Sequence, residues 1–292
     1  MLSPSVQIRG VVCSHLAPAD PFDPGPHSAR NGEIAVRSLF ERLGLDDGGC
    51  IVRGAATTLR SDGAPNESDA SRLIVAEALR DDTELPLFVA CGGGLTDVAS
   101  ALLEAPEIAD RFTLVWIGGP ERGNALAPPD AATPEYNLAI DLEAGHVVLE
   151  RSEVEVWQIP RDVYRQCLVS DAELRQRVRR IGPVGRFLYE SLDAVWRRTA
   201  DQVEGRSETY ALGDSPLVLL TALLSHFEPD ASSSRSVEMP APQFASDGSL
   251  LADAGGSSRS RGVRVFTAVD TRLMFEDLYS KLALFEEWRC LR

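Results

Sequence analysis

LPLFVACGGGLTD, at residues 85–97, is an apolar run that ends in three glycines and leads into a segment with helical spacing. The run Leu85–Ala90 is apolar throughout, as expected of a strand buried on both faces of a parallel sheet. Glycine after such a strand lets the chain turn sharply and approach a ligand closely. A second predicted strand, Phe112–Ile117, ends in Gly118-Gly119-Pro120. Two consecutive strands that end in this way indicate one shared site.

Similar short apolar runs alternate with helical patterns along the whole chain. The predicted strands are Val6–Val12, Cys50–Val52, Leu85–Ala90, Phe112–Ile117, Val154–Ile159 and Val263–Ala268. The predicted helices are Ser28–Leu43, Glu67–Arg80, Thr96–Glu104, Asp171–Arg179, Val184–Ala200, Pro216–Leu224 and Thr271–Trp288. This alternation predicts an α/β fold with a central, mostly parallel sheet covered by helices. In such folds, ligands bind beyond the carboxyl ends of the strands.

The length of 292 residues suits one large α/β domain spanning residues 1–292. Two stretches interrupt the pattern. Ala125–Pro134 is rich in Ala and Pro and predicts a loop over the site, and residues 231–262 are rich in Ser, Gly and Asp. We interpret the latter as an irregular excursion, either mobile or a hairpin on the rim of the domain.

The net charge of the chain limits the classes of partner that it is expected to bind. Its formal net charge of −15 disfavours binding to nucleic acid and to anionic membrane surfaces, since both repel an acidic protein. The five cysteines are scattered and show no C-x-x-C spacing, which favours a reducing, cytoplasmic location over a disulfide framework or a zinc site. No apolar run reaches the length of a membrane span. A small-molecule ligand is therefore the expected partner, and homo-oligomerisation stays open.

The glycine run after Ala90 admits two readings when taken alone. One is a dinucleotide-binding loop, but the spacing is not G-x-G-x-x-G and the next strand ends in glycines rather than in an acidic residue. The other is a tight turn that only precedes the helix Thr96–Glu104. The motifs further along the chain favour a third interpretation.

Five short motifs in a fixed order resemble those of the nucleoside hydrolases. They are Gly93-Gly94-Leu95-Thr96-Asp97, Ile117-Gly118-Gly119, Gly123-Asn124 with Glu135-Tyr136-Asn137, Asp141-Leu142-Glu143-Ala144-Gly145, and Gly213-Asp214 followed by Pro216. The family forms of these motifs are G-P-L-T-N, M-G-G, G-N with E-F-N, D-P-E-A-A, and H-D-P. The resemblance extends from about Val6 to Trp288, and it implies a single nucleoside hydrolase-like domain.

The resemblance implies a site as well as a fold. Nucleoside hydrolases cleave the N-glycosidic bond of a ribonucleoside with a calcium ion that holds the ribose diol and activates a water, which suits hard oxygen ligands. By this resemblance, the Thr96 carbonyl and the Asp214 carboxylate are calcium ligands. Asn124, Glu135, Asn137 and Asp214 are implied to contact the sugar hydroxyls. Each of these residues also has a structural interpretation: Asp214 as an N-cap of the next helix, and the others as polar bridges between loops.

Other residues with possible chemistry have mainly structural interpretations. Trp116 is expected in the core rather than as a platform for a base, and Trp157 is expected to pack. His15 follows the first strand and lines the site or is solvated, while the other three histidines are interpreted as structural or surface residues. Cys91 has no His or Asn partner that would make it a nucleophile.

Two departures from the family pattern limit the predicted activity. The family opens with a D-x-D-x-x-x-D-D strand that supplies most of the calcium ligands and the general base, and Asp20 and Asp23 have neither that spacing nor that place. Gly213 stands where the family often has a His that protonates the leaving base. We therefore expect the catalytic base to be absent, a sheet that lacks an internal strand, and very poor hydrolysis. Our hypothesis is that such a strand is encoded upstream of Met1 or that the protein is a decayed relative.

Three readings of function follow. The first is a nucleoside hydrolase-type N-glycosidase that releases a free base and ribose. The second is a catalytically inert relative that binds a nucleoside or a sugar. The third is a nucleotide-binding α/β protein of another kind, which NAD or ATP would protect against thermal unfolding.

Overall fold

The structure, a computed structural model, describes residues 1–23, 25–60, 63–122, 127–128, 131–199, 207–225, 233–251 and 261–291. The strands are β1 Val11–Cys13, β2 Ile51–Arg53, β3 Phe88–Cys91, β4 Thr113–Ile117, β5 Glu155–Ile159, β6 Leu168–Ser170, β7 Thr209–Ala211, β8 Arg235–Pro240 and β9 Gly262–Ala268. The helices are α1 Ser28–Leu43, α2 Asp69–Ala78, α3 Thr96–Glu104, α4 Tyr136–Ile140, α5 Leu142–His146, α6 Arg161–Tyr164, α7 Asp171–Arg177, α8 Gly182–Thr199, α9 Pro216–Ala222 and α10 Thr271–Cys290.

The main sheet has five strands in the order β3-β4-β5-β9-β8. The first four run parallel, and β8 pairs antiparallel with β9 at the edge. Along β4, Leu114 and Trp116 pack into one hydrophobic cluster, while Val115 and Ile117 pack into another. Because successive strand residues point to opposite faces, these two clusters lie on the two sides of the sheet. The predicted α/β fold with a mostly parallel sheet is confirmed.

A second, separate sheet is formed by β1 and β2, which pair in parallel. Among the described residues, no backbone hydrogen bond joins β1 to β3. Val12 on β1 and Ala90 on β3 are both exposed, so each of these strands has an open edge. The carboxyl ends of the two strands still meet, because a methyl group added at Gly93 would lie 3.5 Å from Ser14 Oγ.

The predicted strand Val6–Val12 is wrong over most of its length, since the strand begins at Val11. The segment before it is held by helices instead: Ser5 Oγ donates to the Ala222 carbonyl of α9 at 2.6 Å, and Lys281 Nζ of α10 donates to Ser3 Oγ at 2.8 Å. A short apolar run rich in β-branched residues indicated a strand, but the described residues offer it no strand partner.

Within the excursion predicted for residues 231–262, Arg235–Pro240 form β8 antiparallel to β9 at the edge of the sheet, in agreement with the hairpin on the rim that was one of the two expected forms. Pairing with an edge strand overrides the Ser-rich composition there. The bridge between Phe244 and Leu250 adds a short turn at the rim. Residues 252–260 lie outside the described residues.

Two further regions were not predicted. The residues 136–151 form α4, α5 and a π-helical turn, Val147–Arg151, rather than a loop. The antiparallel pair of β6 and β7 connects segments that are 43 residues apart at Leu168 and Ala211, with register partners that sequence patterns do not reveal. Within the described residues, no helix combines the length and apolar character needed to cross a bilayer.

Candidate functional site

The turns that follow β3 and β4 are joined directly at the carboxyl edge of the main sheet. The indole Nε1 of Trp116 donates to the Gly93 carbonyl at 3.0 Å, and Trp116 is fully buried. The interpretation of Trp116 as a core residue is confirmed. Gly119 adopts φ 84°, a conformation that favours glycine, and so turns the chain away after β4. The two glycine-rich ends thus form one continuous wall.

Glu135 is buried behind this wall and is hydrogen-bonded to it. Its Oε2 accepts hydrogen bonds from the Gly119 amide at 2.7 Å and the Leu138 amide at 3.1 Å, and its Oε1 accepts from the Tyr164 hydroxyl at 2.6 Å. Only 1% of the residue is exposed. Burial raises the pKa of Glu135, and these hydrogen bonds oppose that shift. Burial and the Glu135 charge also raise the pKa of Tyr164.

Asn137 makes a similar contact two residues later. Its Nδ2 donates to the Ile117 carbonyl at 2.8 Å, at the end of β4. Glu135 and Asn137 therefore fix the start of α4 to the end of β4, as the interpretation of polar bridges predicts. The implied contacts of their side chains with a sugar stay predictions. Asn124, the third of these residues, lies outside the described residues.

Thr96 begins α3 and is held by side chains from two other segments. Its hydroxyl donates to Asp141 Oδ2 at 2.7 Å, and His15 Nε2 lies 3.0 Å from the same hydroxyl oxygen. His15 Nδ1 faces the Leu16 carbonyl at 3.0 Å. His15 is 3% exposed, so the solvated reading of this residue is wrong. This chain of contacts ties the loop after β1 to the start of α3.

Asp141 and Asp97 also accept hydrogen bonds from groups of other segments. Asp141 caps α5 through the Ala144 amide at 3.0 Å and also accepts from the Leu59 amide at 2.7 Å. Asp97 Oδ1 accepts from the Ala55 amide at 2.8 Å and from the Ser68 hydroxyl at 2.7 Å. These bonds join the small sheet to the main sheet. Asp97 Oδ2 is buried without a hydrogen-bond partner and packs against Gly54.

Asp214 differs from these carboxylates because it is open to solvent. It precedes α9 and packs against the turn after β3: a methyl group added at Gly92 would lie 2.8 Å from both its Cγ and its Oδ1. Although the residue is exposed, protein surrounds it on most sides, and this desolvation raises its pKa to about 6. A carboxyl group with that pKa exchanges protons near neutral pH.

Several groups lie close enough to Asp214 for its charge to raise their pKa values. Burial first, and then this charge, raise the pKa of Cys91 and of Cys167 to about 12 and also raise the pKa of Tyr210. Tyr136 is affected as well, after its burial and its bond to Asp20. The raised values argue against a nucleophilic thiolate, in agreement with the interpretation of Cys91.

The N-cap interpretation of Asp214 is not supported by the geometry. The residue in the N-cap position of α9 is Ser215, and no side chain forms the capping hydrogen bond. The Asp214 contribution is its backbone carbonyl, which accepts from the Leu217 amide at 3.1 Å. Its carboxylate is thus available at the carboxyl edge of the sheet.

Calcium fits the described residues poorly. The resemblance implies the Thr96 carbonyl and Asp214 as ligands, whereas calcium takes about six to eight oxygens. Within the described ranges, no group of three or more Asp, Glu, His or Cys side chains is placed to hold a metal ion. Asp97 Oδ2 is buried without a hydrogen-bond partner and packs against Gly54, while Asp214 packs against Gly92. These residues therefore do not form a calcium site by themselves, and we derive no step through the ion.

The tyrosines of the site were missed by the sequence interpretation. Tyr164 holds Glu135, and a methyl group at Gly213 would lie 3.3 Å from its ring, so Tyr164 lies under the Asp214 loop. Tyr136 donates to Asp20 at 2.7 Å. The only available signal was the place of Tyr136 inside the Glu135-Tyr136-Asn137 motif. The site therefore has an open carboxylate, a glycine-rich wall and the tyrosines Tyr136 and Tyr164.

Comparisons with known proteins agree with this architecture. A plant nucleoside hydrolase, the PpNRh1 enzyme, superposes with a TM-score of 0.69 at 14% identity, covering 97% of this chain and 92% of that one. A purine-preferring ribonucleoside hydrolase from Gardnerella vaginalis gives 0.62 at 19% identity, with 98% and 92% covered. An inosine-uridine preferring nucleoside hydrolase from Bacillus anthracis gives 0.62 at 18% identity, with 97% and 92% covered. At these identities, the superpositions show a shared fold.

Sequence comparison supplies the assignment to a family. None of the curated proteins compared with the chain matches it. The family model described as inosine-uridine preferring nucleoside hydrolase matches residues 29–276, which is most of the chain. Since both the sequence model and the fold agree with the order of the motifs, this chain belongs to the inosine-uridine preferring nucleoside hydrolase family.

Proposed function

We propose that this chain is a nucleoside hydrolase-type N-glycosidase that binds a ribonucleoside at the carboxyl edge of its main sheet and releases free base and ribose. The observation that carries this proposal is the placement of Asp214, an open carboxylate seated against Gly92 at the end of β3. Carboxylates bind vicinal sugar hydroxyls well, because charge-assisted hydrogen bonds are shorter and stronger than neutral ones.

The same site supports only slow turnover. Cleavage of a glycosidic bond passes through an oxocarbenium-like sugar and uses two carboxyl groups in most glycosidases. Glu135 is the other acidic group of the wall, but both of its oxygens are committed to protein donors. Of Glu135 and Asp214, only Asp214 has a carboxyl group free to act as an acid or a base, so hydrolysis is expected to be very slow in the 292-residue chain.

An inert relative that binds a nucleoside or a sugar is the second candidate, and this shortage of catalytic carboxylates favours it. The two candidates differ in turnover but share the ligand. Calcium belongs to the first candidate by family resemblance and would act on the sugar diol and the attacking water. A nucleoside is the proposed small-molecule partner in either case.

The deciding experiment measures binding and turnover on the same samples. Inosine, uridine and cytidine are titrated by calorimetry with and without calcium, and release of reducing sugar is followed over hours. We expect nucleoside binding that Asp214→Asn weakens, together with very slow sugar release. NAD or ATP protecting the chain against thermal unfolding, with no nucleoside binding, would instead favour a nucleotide-binding protein.

The extent of turnover also tests where the catalytic base lies. Full activity of the 292-residue chain would mean that we have mislocated the base.

A further inference from the structure

The loop after β1 is joined to the start of α4 by one buried carboxylate. Tyr136 Oη donates to Asp20 Oδ2 at 2.7 Å, across 116 positions of sequence. Asp20 Oδ1 accepts from the Phe22 amide at 2.8 Å. Asp20 is 3% exposed, so the two donors take the place of water for a charge that is costly to bury alone.

The same loop brings a second aromatic ring to Tyr136. The rings of Phe22 and Tyr136 pack edge to face, with centroids 6.2 Å apart and planes at 79°. Ala19, one residue before Asp20, has φ 60°, which alanine rarely adopts. A strained residue of this kind persists where the contacts around it fix the local backbone. The bonds of Asp20 are the contacts that do so here.

Tyr136 begins α4, which packs against the same glycine-rich turn as Asp214: Ile140 of α4 contacts Gly94, and Asp214 contacts Gly92. Tyr136 stands between Glu135 and Asn137, which are both fixed to the end of β4, and 41% of the residue is exposed. The Asp214 charge acts on it, as its raised pKa reflects after the larger effects of burial and Asp20. Since Asp20 occupies the hydroxyl, the part of Tyr136 left for a ligand is its ring.

We infer that Asp20 is a positioning residue of the nucleoside site, which holds the rings of Tyr136 and Phe22 as an aromatic wall for the flat base of a bound nucleoside. The inference rests on the proposed function. It deepens that function by dividing the ligand: Asp214 recognises sugar hydroxyls, and the aromatic wall recognises the base. Aromatic rings suit this task because every base presents a π-face for stacking.

The test compares three variants with a matched control. Asp20→Ala removes both acceptors and Tyr136→Phe removes the donor while the ring is kept. Asp20→Asn retains an acceptor for the Phe22 amide and offers its amide group to the Tyr136 oxygen, and so serves as the conservative rescue. Tyr279→Phe is the control, because it removes an equivalent hydroxyl-carboxylate bond, 2.9 Å long, to Glu173 beneath α10.

Two measurements are made: hydrogen exchange of the peptide covering residues 16–23 in the free protein, and calorimetric affinity for inosine and for ribose. We expect Asp20→Ala and Tyr136→Phe to exchange faster in that peptide. They should bind inosine about tenfold more weakly, which corresponds to about 1.4 kcal/mol, with ribose affinity unchanged. Asp20→Asn and Tyr279→Phe should behave like the unaltered chain in both measurements.

The outcomes separate this inference from the proposed function. Unchanged exchange in both Asp20→Ala and Tyr136→Phe, or equal losses for inosine and ribose, would overturn the inference while inosine binding by the unaltered chain still supports the function. No inosine binding by the unaltered chain would overturn both. If Asp20→Ala fails to fold, Tyr136→Phe and Asp20→Asn decide alone.

Discussion

Substitution of Gly92 by alanine is the sharpest test of the Asp214 site. The added methyl carbon would lie 2.8 Å from Cγ and Oδ1 of Asp214 and 3.0 Å from Oδ2. Carbon atoms in ordinary contact are about 3.5–4.0 Å apart. Asp214 must therefore retreat by about 0.5–1 Å, a distance obtained by subtraction from that contact range.

The expected result is a loss of function with little loss of stability. Asp214 is exposed and free to move outward, so the free energy of unfolding should fall by less than the ~1–3 kcal/mol of an overpacked core. A displacement of about 1 Å costs about a hundredfold in rate where geometry matters. We expect nucleoside affinity to fall about tenfold, equivalent to about 1.4 kcal/mol, and any slow sugar release to fall further.

Gly93→Ala provides a matched control in the same turn. Its methyl group would lie 3.5 Å from Ser14 Oγ, an ordinary contact, so affinity and stability should both change little. Calorimetry with inosine and urea denaturation on the two variants complete the assay. Equal nucleoside affinity in Gly92→Ala and the unaltered chain would refute the assignment of Asp214 to the binding site.

Three further predictions concern the support of the site. Trp116→Phe removes the indole donor to the half-buried Gly93 carbonyl, which keeps only the weak Cys91 thiol donor at 3.6 Å, and should lower the free energy of unfolding in urea by about 0.5–1.5 kcal/mol. Asp141→Ala removes the acceptor of the Leu59 and Ala144 amides and the Thr96 hydroxyl, and should lower it by about 3–5 kcal/mol, more than Asp141→Asn does. Burial raises the pKa of Asp214 to about 6, so its protonated form stabilises the folded state at pH below about 4, and this contribution is lost as the pH rises through about 6. Thermal unfolding should show Asp214→Asn gaining stability relative to the unaltered chain over that range, by less than about 1 kcal/mol because the group is exposed to screening solvent.

The sequence predicted the elements whose ends are set locally. Helices α1 and α3 begin and end at the predicted residues, and Gly44 with φ 67° ends α1 as a left-handed cap. The strand at residues 6–12 was mispredicted because a short apolar run is a local signal, while strand pairing depends on neighbours far along the chain. For the same reason, β8 was not separated from the Ser-rich segment around it.

The candidate site likewise has parts that the sequence predicted and parts that it did not. The order of the motifs located the glycine-rich wall, because it depends on residues adjacent in sequence. Neither the partners of Glu135 nor the bond between Asp20 and Tyr136 leaves a pattern in the sequence. Polar side chains in loops fit both a ligand contact and a structural bond, and only the folded backbone decides between them. The Asp214 carboxylate stays open to solvent because it packs against Gly92 rather than against a hydrogen-bond donor, and its contacts with a ligand stay predictions.

The open edges of β1 and β3 affect how the folded protein opens locally. The unit of β1, α1 and β2 has its own small cluster, in which Cys13, Phe40 and Ile51 are buried. It meets the rest of the domain through Leu43 of α1 and through side-chain bonds rather than through a shared ladder. Regions with few buried contacts open at a lower free energy than the rest of a fold. The amides of β1 and β2 should therefore become accessible in a partial opening that leaves the five-stranded sheet intact. That opening would separate His15 from Thr96 and would carry the loop with Asp20 away from Tyr136. Ligand access to the site would therefore depend on the same local unfolding equilibrium that detaches β1 and β2 from the rest of the domain.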